Sequence, residues 1–199
     1  MIRTLLLVGI VAGLHTNQPL FLPIGVKHRI SLADIKLTGI GQFGLQRKAR
    51  PTVPAHYHTG IDLKRPAQNY SNEPVFAAGK GKVISMRNDG PFSQIIIEHV
   101  LNRRDTLWTV YEHILGIHCH AGDLVTENTV IARFFNKAEL DKYGWQFDHL
   151  HFEIMKVKPF KVKKNPAFPE YFYKTYDITC YTKEALMKRM INPLLYFKR

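Results

Sequence analysis

The chain has 199 residues, 45% hydrophobic and 22% charged, enough apolar material for one well-buried core and too much for an intrinsically disordered chain. Aromatic content of 12%, with 11 Pro beside 13 Gly, argues for many short strands joined by turns and against a helical bundle. A formal charge of +12 suits a polyanionic partner, and the two cysteines, Cys119 and Cys180, exclude a disulfide scaffold or a Cys-rich zinc site.

Residues 1–16, within "MIRTLLLVGIVAGLHTNQ", carry one early basic residue, Arg3, and an apolar run from Leu5 to Leu14. The pattern resembles a secretory signal peptide, so export to the cell envelope is expected. The run is shorter than the ~20 residues of a comfortable membrane span. Residues 17–199 are expected to form a single domain.

After the leader, "LFLPIGVKHRISLADIKLTGIGQFGLQRKARP" reads as short strands and turns. "AHYHTGIDLKRP" lies between Pro54 and Pro66, and Gly60 with its flanking prolines opposes a helix there. "EPVFAAGKGKVISMRN" reads as a strand, a Gly turn and a second strand. "QIIIEHV" and "LWTVYEHIL" form a hairpin pattern about the polar turn "LNRRD". "AGDLVTENTVIARF" is a further strand-turn-strand unit, and "NKAELDKYG" carries a short helix.

Then comes "DHLHFEI", residues 148–154. At period two, His149, His151 and Glu153 share one face and Leu150, Phe152 and Ile154 the other. Two residues of extended chain rise about 6.6 Å, so both imidazoles look into one cleft. By itself the spacing fits either a metal or acid/base pair or the wet side of a half-buried strand. From Lys156 the chain turns basic and tyrosine-rich, densest in "KVKPFKVKK". No zinc-finger, RNA-recognition or helix-turn-helix pattern accompanies these charges, so no specific nucleic acid is expected. The sequence sets no oligomeric state.

The potential ligands and bases are His58 and Asp62 in "HTGID", His113 in "YEH", and His149 with His151. A hydrolytic zinc site takes about three N or O ligands and keeps an open position for water. Two further histidines would suit proton transfer and oxyanion stabilisation, since the imidazole pKa lies near neutrality.

In order along the chain, "HTGIDL", "EPVFAAGKGKV", "YEH", "AGDLV", "HLHFEI" and "INPLLYF" resemble the motifs of the lysostaphin/LytM-like zinc metalloendopeptidases, peptidase family M23. The resemblance implies a mainly β fold, an antiparallel sheet or sandwich with a zinc-containing groove and a few short helices. It implies one Zn²⁺ per chain on His58, Asp62 and His151, with His113 and His149 catalytic. It further implies hydrolysis of peptide cross-links in bacterial peptidoglycan, with anionic wall polymer as a second partner.

Two stretches depart from the family pattern. A Gly- and Ser-rich approach to the final motif is replaced by "NKAELDKYGWQFD", bringing Tyr143, Trp145 and Phe147 toward the expected cleft, and residues 157–190 stand where a short connection is usual. Rival readings are a catalytically silent peptidoglycan-binding or regulatory module of the same fold, and a zinc amidase using His56 with His58. "HCH", His118 to His120, reads as a turn rather than a metal site. Tyr111 reads as core, Glu153 as either a prop for a ligand or a packing ion pair, and His99 has no nameable partner. Pairing of Cys119 with Cys180 stays open.

Overall fold

The computed structural model describes residues 20–102 and 105–197, and the leader expected at 1–16 lies outside them. The strands in chain order are β1 (Gln46–Arg47), β2 (His56–Tyr57), β3 (Ile61–Lys64), β4 (Pro74–Phe76), β5 (Gly81–Arg87), β6 (Gln94–Val100) and β7 (Thr106–Glu112). They continue as β8 (Leu124–Val125), β9 (Val130–Arg133), β10 (His149–Met155), β11 (Phe160–Lys161), β12 (Tyr173–Lys174) and β13 (Met190–Ile191). Helix α1 (Lys137–Tyr143) precedes β10 and helix α2 (Lys183–Arg189) precedes β13. The fold is mainly β, as expected, and all the strand pairs are antiparallel.

The central sheet has seven strands in the order β13-β10-β7-β6-β5-β8, and β3 joins it on β10. The β6–β7 pairing, from Gln94 opposite Glu112 to Val100 opposite Thr106, is the hairpin expected from the β-branched runs. β10 is the hinge of the sheet's functional end. One edge pairs with β7, while the other is shared by β3 along His149–Phe152 and by β13 at Ile154 and Met155.

Alternation sorts the side chains onto two faces. On one face Ile61, Leu63, Ile95, Ile97, Tyr111, Leu150, Phe152 and Ile154 pack with Leu22, Ile24, Val75, Ile131 and Phe134 in the larger core. Full burial of each such side chain is worth roughly 1.5–3 kcal/mol, so this layer holds the sheet flat against the remainder of the chain. On the other face Ile96, Trp108, Val110 and Met155 pack with Cys180, Leu186 and Met190. Residues 157–190 therefore cover part of the face that His149 and His151 share. Cys119 lies in the first cluster and Cys180 in the second, and both thiols are free.

Helix α1 matches its sequence signal. The Asn136 side chain accepts from the Glu139 N–H while Glu139 accepts from the Asn136 N–H, and Gly144 ends the helix at φ 114°. Among the described residues no helix is long and apolar enough to cross a membrane.

Candidate metal centre

β3 and β10 run side by side with His151 directly opposite Asp62. Their close approach depends on Gly60, where a Cβ would stand 2.3 Å from the Phe152 carbonyl oxygen. His58 enters just before Gly60, and Gly41 allows the preceding loop to lie against Asp62, since a Cβ there would meet the Asp62 Cβ at 2.8 Å.

The result is a compact triangle of donor atoms. His58 Nε2 and His151 Nδ1 lie 3.0 and 2.9 Å from Asp62 Oδ1, and 3.0 Å from each other. All three residues are buried. Two ring nitrogens and a carboxylate oxygen this close, away from water, need a shared cation, either a proton or a metal ion. The donor set is of zinc type, and ligand atoms at 2.0–2.2 Å around a tetrahedral ion stand about 3.3 Å apart, so the residues fit such an ion with little rearrangement.

The outer contacts orient each ring. His58 Nδ1–H donates to the Gln42 carbonyl at 2.9 Å, which turns Nε2 toward Asp62. His151 is turned the other way, presenting Nδ1 to Asp62 and Nε2 to Glu153 Oε1 at 3.0 Å. Arg47 on β1 donates to the second oxygen of Asp62 at 3.1 Å. Burial alone would push the Asp62 carboxyl up, but the hydrogen bonds from His151 and His58 hold it far below the usual carboxylate range. Burial opposes charge on His151 too, yet Asp62 and Glu153 on its two nitrogens raise its pKa well above the ordinary imidazole value.

His113 follows β7 in the left-handed region, φ 59°, the one non-glycine residue with positive φ among the described residues. Tyr111 points into the larger core and Glu112 to the opposite face, so regular alternation would send residue 113 back toward Tyr111. The left-handed turn instead brings its ring to 4.9 Å from the His149 ring and 6.2 Å from the His151 ring, centroid to centroid. Its Nδ1–H donates to the Pro91 carbonyl at 2.7 Å, leaving Nε2 unprotonated. Burial, and then the nearby His149, lower the His113 pKa to about 3. His149 is lowered as well, mainly by burial, and its Nε2 is 3.7 Å from Asp62 Oδ1.

The five residues singled out in the sequence thus come together. His58, Asp62 and His151 share one donor cluster, and His113 and His149 stand beside it. His56 is absent from that cluster: its Nδ1 is turned to the Pro54 carbonyl at 2.8 Å, and no metal-holding group among the described residues includes it. "HCH" is turn chemistry, with the His120 N–H donating to Asp123 and its ring 2.9 Å from Glu170. Phe147 packs 5.0 Å from the His113 ring, whereas Trp145 leans on Tyr70 and Tyr143 on Phe135.

Several members of the site gave no sequence signal. Arg47, the Gln42 and Pro91 carbonyls and Thr175 come from separate segments of the chain, and only folding brings them to the site. Glu112, between Tyr111 and His113, accepts from the Gln94 amide and is pushed up to about 7 by burial and then by the charge of Asp177. Thr59 sits inside the "HTGID" motif and could have been found there.

The sequence profile of peptidase family M23 matches residues 56–166, more than half of the chain. A chain of the SpoIIQ–SpoIIIAH pore-forming complex is similar at 18% identity and TM-score 0.51, covering 92% of this chain and 93% of that one. A zinc-containing peptidase from Vibrio cholerae is 28% identical over 69% of this chain and 37% of its own, with TM-score 0.46. LytU is 24% identical over 63% of this chain and 74% of its own, with TM-score 0.43. The first of these likenesses speaks for the fold. No curated protein matches the sequence.

Proposed function

The chain belongs to peptidase family M23, and on that premise we propose that it is a zinc-dependent endopeptidase hydrolysing peptide cross-links of bacterial peptidoglycan in the cell envelope. The observation that carries this reading is the buried donor triangle of His58, Asp62 and His151 with two further imidazoles at its side.

His58 Nε2, Asp62 Oδ1 and His151 Nδ1 would hold the ion. When bound, zinc supplies a Lewis acid and lowers the pKa of a bound water toward ~7, making a nucleophile available at neutral pH. The remaining chemistry is the chain's own. His113 is neutral, and the Pro91 carbonyl fixes its tautomer so that Nε2 is ready to accept a proton. His149 stands within ring contact and shares that proton. Whichever ring is protonated at Nε2 becomes the N–H donor required by the developing oxyanion or the leaving amine. Phe147 and Phe92, edge to face at 6.0 Å, flank this side of the site, with the Phe147 ring 5.0 Å from that of His113.

Six exposed lysines between Lys156 and Lys174 line the β11–β12 hairpin and its approaches, a surface suited to anionic wall polymer. Binding of intact walls should weaken as salt is raised.

The decisive experiment digests purified sacculi with metal-replete protein, beside a chelated sample and a His149→Ala variant, and reads the released fragments by mass. Cross-link cleavage abolished by chelator and by the substitution is the expected result. Intact sacculi despite one bound zinc would point to a silent module, and release of whole stem peptides from the glycan would point to an amidase.

A further inference from the structure

Glu153 is wholly buried, two residues beyond His151 on the same face of β10. A buried carboxylate is tolerated only when its oxygens are satisfied by donors, and here the donors come from three separate parts of the chain. Oε1 accepts from His151 Nε2 and from the Thr59 hydroxyl, while Oε2 accepts from the Thr175 hydroxyl.

Thr175 belongs to the segment 157–190 that departs from the family pattern, and it is itself buried. Its place is set from both sides. The Ser85 hydroxyl donates to the Tyr173 carbonyl at 3.0 Å two residues before it, and Tyr57 N–H donates to the Cys180 carbonyl at 2.9 Å five residues after it. Tyr57 adjoins His58, so this segment is tied to the loop that carries the first proposed ligand.

We propose that Thr175 is a positioning residue of the metal centre: its hydroxyl holds the Glu153 carboxylate on His151 Nε2, which keeps Nδ1 directed at Asp62. The segment 157–190 is therefore a working part of the site as well as a cover for the sheet. This rests on His151 being a ligand, as in the function proposed above. Second-sphere partners of ligating histidines commonly control metal affinity by about 10–100-fold.

The test measures zinc affinity by competition with a chromogenic chelator, together with kcat and KM on peptidoglycan. Thr175→Val keeps the shape and removes the hydroxyl, and its zinc affinity should fall about 10–100-fold with kcat reduced and KM little changed. Thr175→Ser should restore both. The double variant Thr175→Val/Glu153→Gln should bind zinc no more weakly than Glu153→Gln alone, because Thr175 acts through that carboxylate. Wild-type zinc affinity in Thr175→Val, or additive losses in the double variant, would overturn the proposal. If Thr175→Val does not fold, Thr175→Cys, a much weaker donor of similar size, is read in the same way. Wild-type protein that binds zinc and leaves sacculi intact would remove the proposed function while the zinc measurements still decide the role of Thr175.

Discussion

Two buried histidines lie on opposite faces of the same sheet, and their protons are held in opposite ways. His99 is 1% exposed and His151 6%. His99 meets only neutral groups, donating from Nδ1 to the Lys80 carbonyl at 2.9 Å with Nε2 2.8 Å from the Thr109 hydroxyl, and burial drives its pKa down to about 4. His151 has a carboxylate on each nitrogen and is raised well above the ordinary value although it too is buried. Burial sets the cost of a charge, and the partners decide whether the cost is met. Around His99 the hydrogen-bond partners are neutral, and around His151 they are carboxylates.

The most direct way to break this difference is to remove the anionic partners or the ring itself. Asp62→Ala and His151→Ala should each abolish zinc retention, measured by metal analysis of the purified protein, and with it hydrolysis. Retained hydrolysis in either variant would sink the ligand assignment. His113→Ala should keep the zinc and slow turnover by ~10²–10⁴-fold, the usual worth of a positioned acid or base. Zinc lost from that variant would mean that ligands and bases have been assigned the wrong way round.

The apolar face should respond in stability rather than chemistry. Phe152 lies between His151 and Glu153 in sequence but in the opposite core, and Phe152→Ala should cost about 3–5 kcal/mol in urea unfolding, with zinc bound per folded molecule unchanged.

His99 supplies the smallest effect and a defined sign. Its folded pKa of about 4 lies below the unfolded value of 6.5, so the unfolded chain takes up the proton first as pH falls. Its contribution is complete above pH 6.5 and is lost as pH drops through 4, amounting to about 3 kcal/mol. The stability gap between wild type and His99→Gln should narrow by that amount across this window. A constant gap would show that His99 is not held neutral by its surroundings.

Local patterns carried much of the architecture. Alternation in residues 148–154 placed Leu150, Phe152 and Ile154 in the core, and all three are fully buried. The β6–β7 hairpin and α1 with its capping box follow from β-branched runs and from Asn136 with Glu139, features that act over a few residues. Helix α2, capped by Thr182, lay unread within the basic, tyrosine-rich tail. Glu153, read as a prop for a ligand or a packing ion pair, is wholly buried with Oε1 3.0 Å from His151 Nε2, a contact both readings share.

By itself the sequence determined which residues could do chemistry and, at period two, which face of β10 would carry them, because side-chain direction along a strand is a local property of the backbone. Tertiary structure decided the rest. It excluded His56 from the donor cluster, turned His113 against the strand's alternation, set Arg47 on Asp62 and brought Thr175 to Glu153. Those contacts join segments distant along the chain, and the burial that lowers His99 and the carboxylate partners that raise His151 against its burial exist only once the sheet has closed around them.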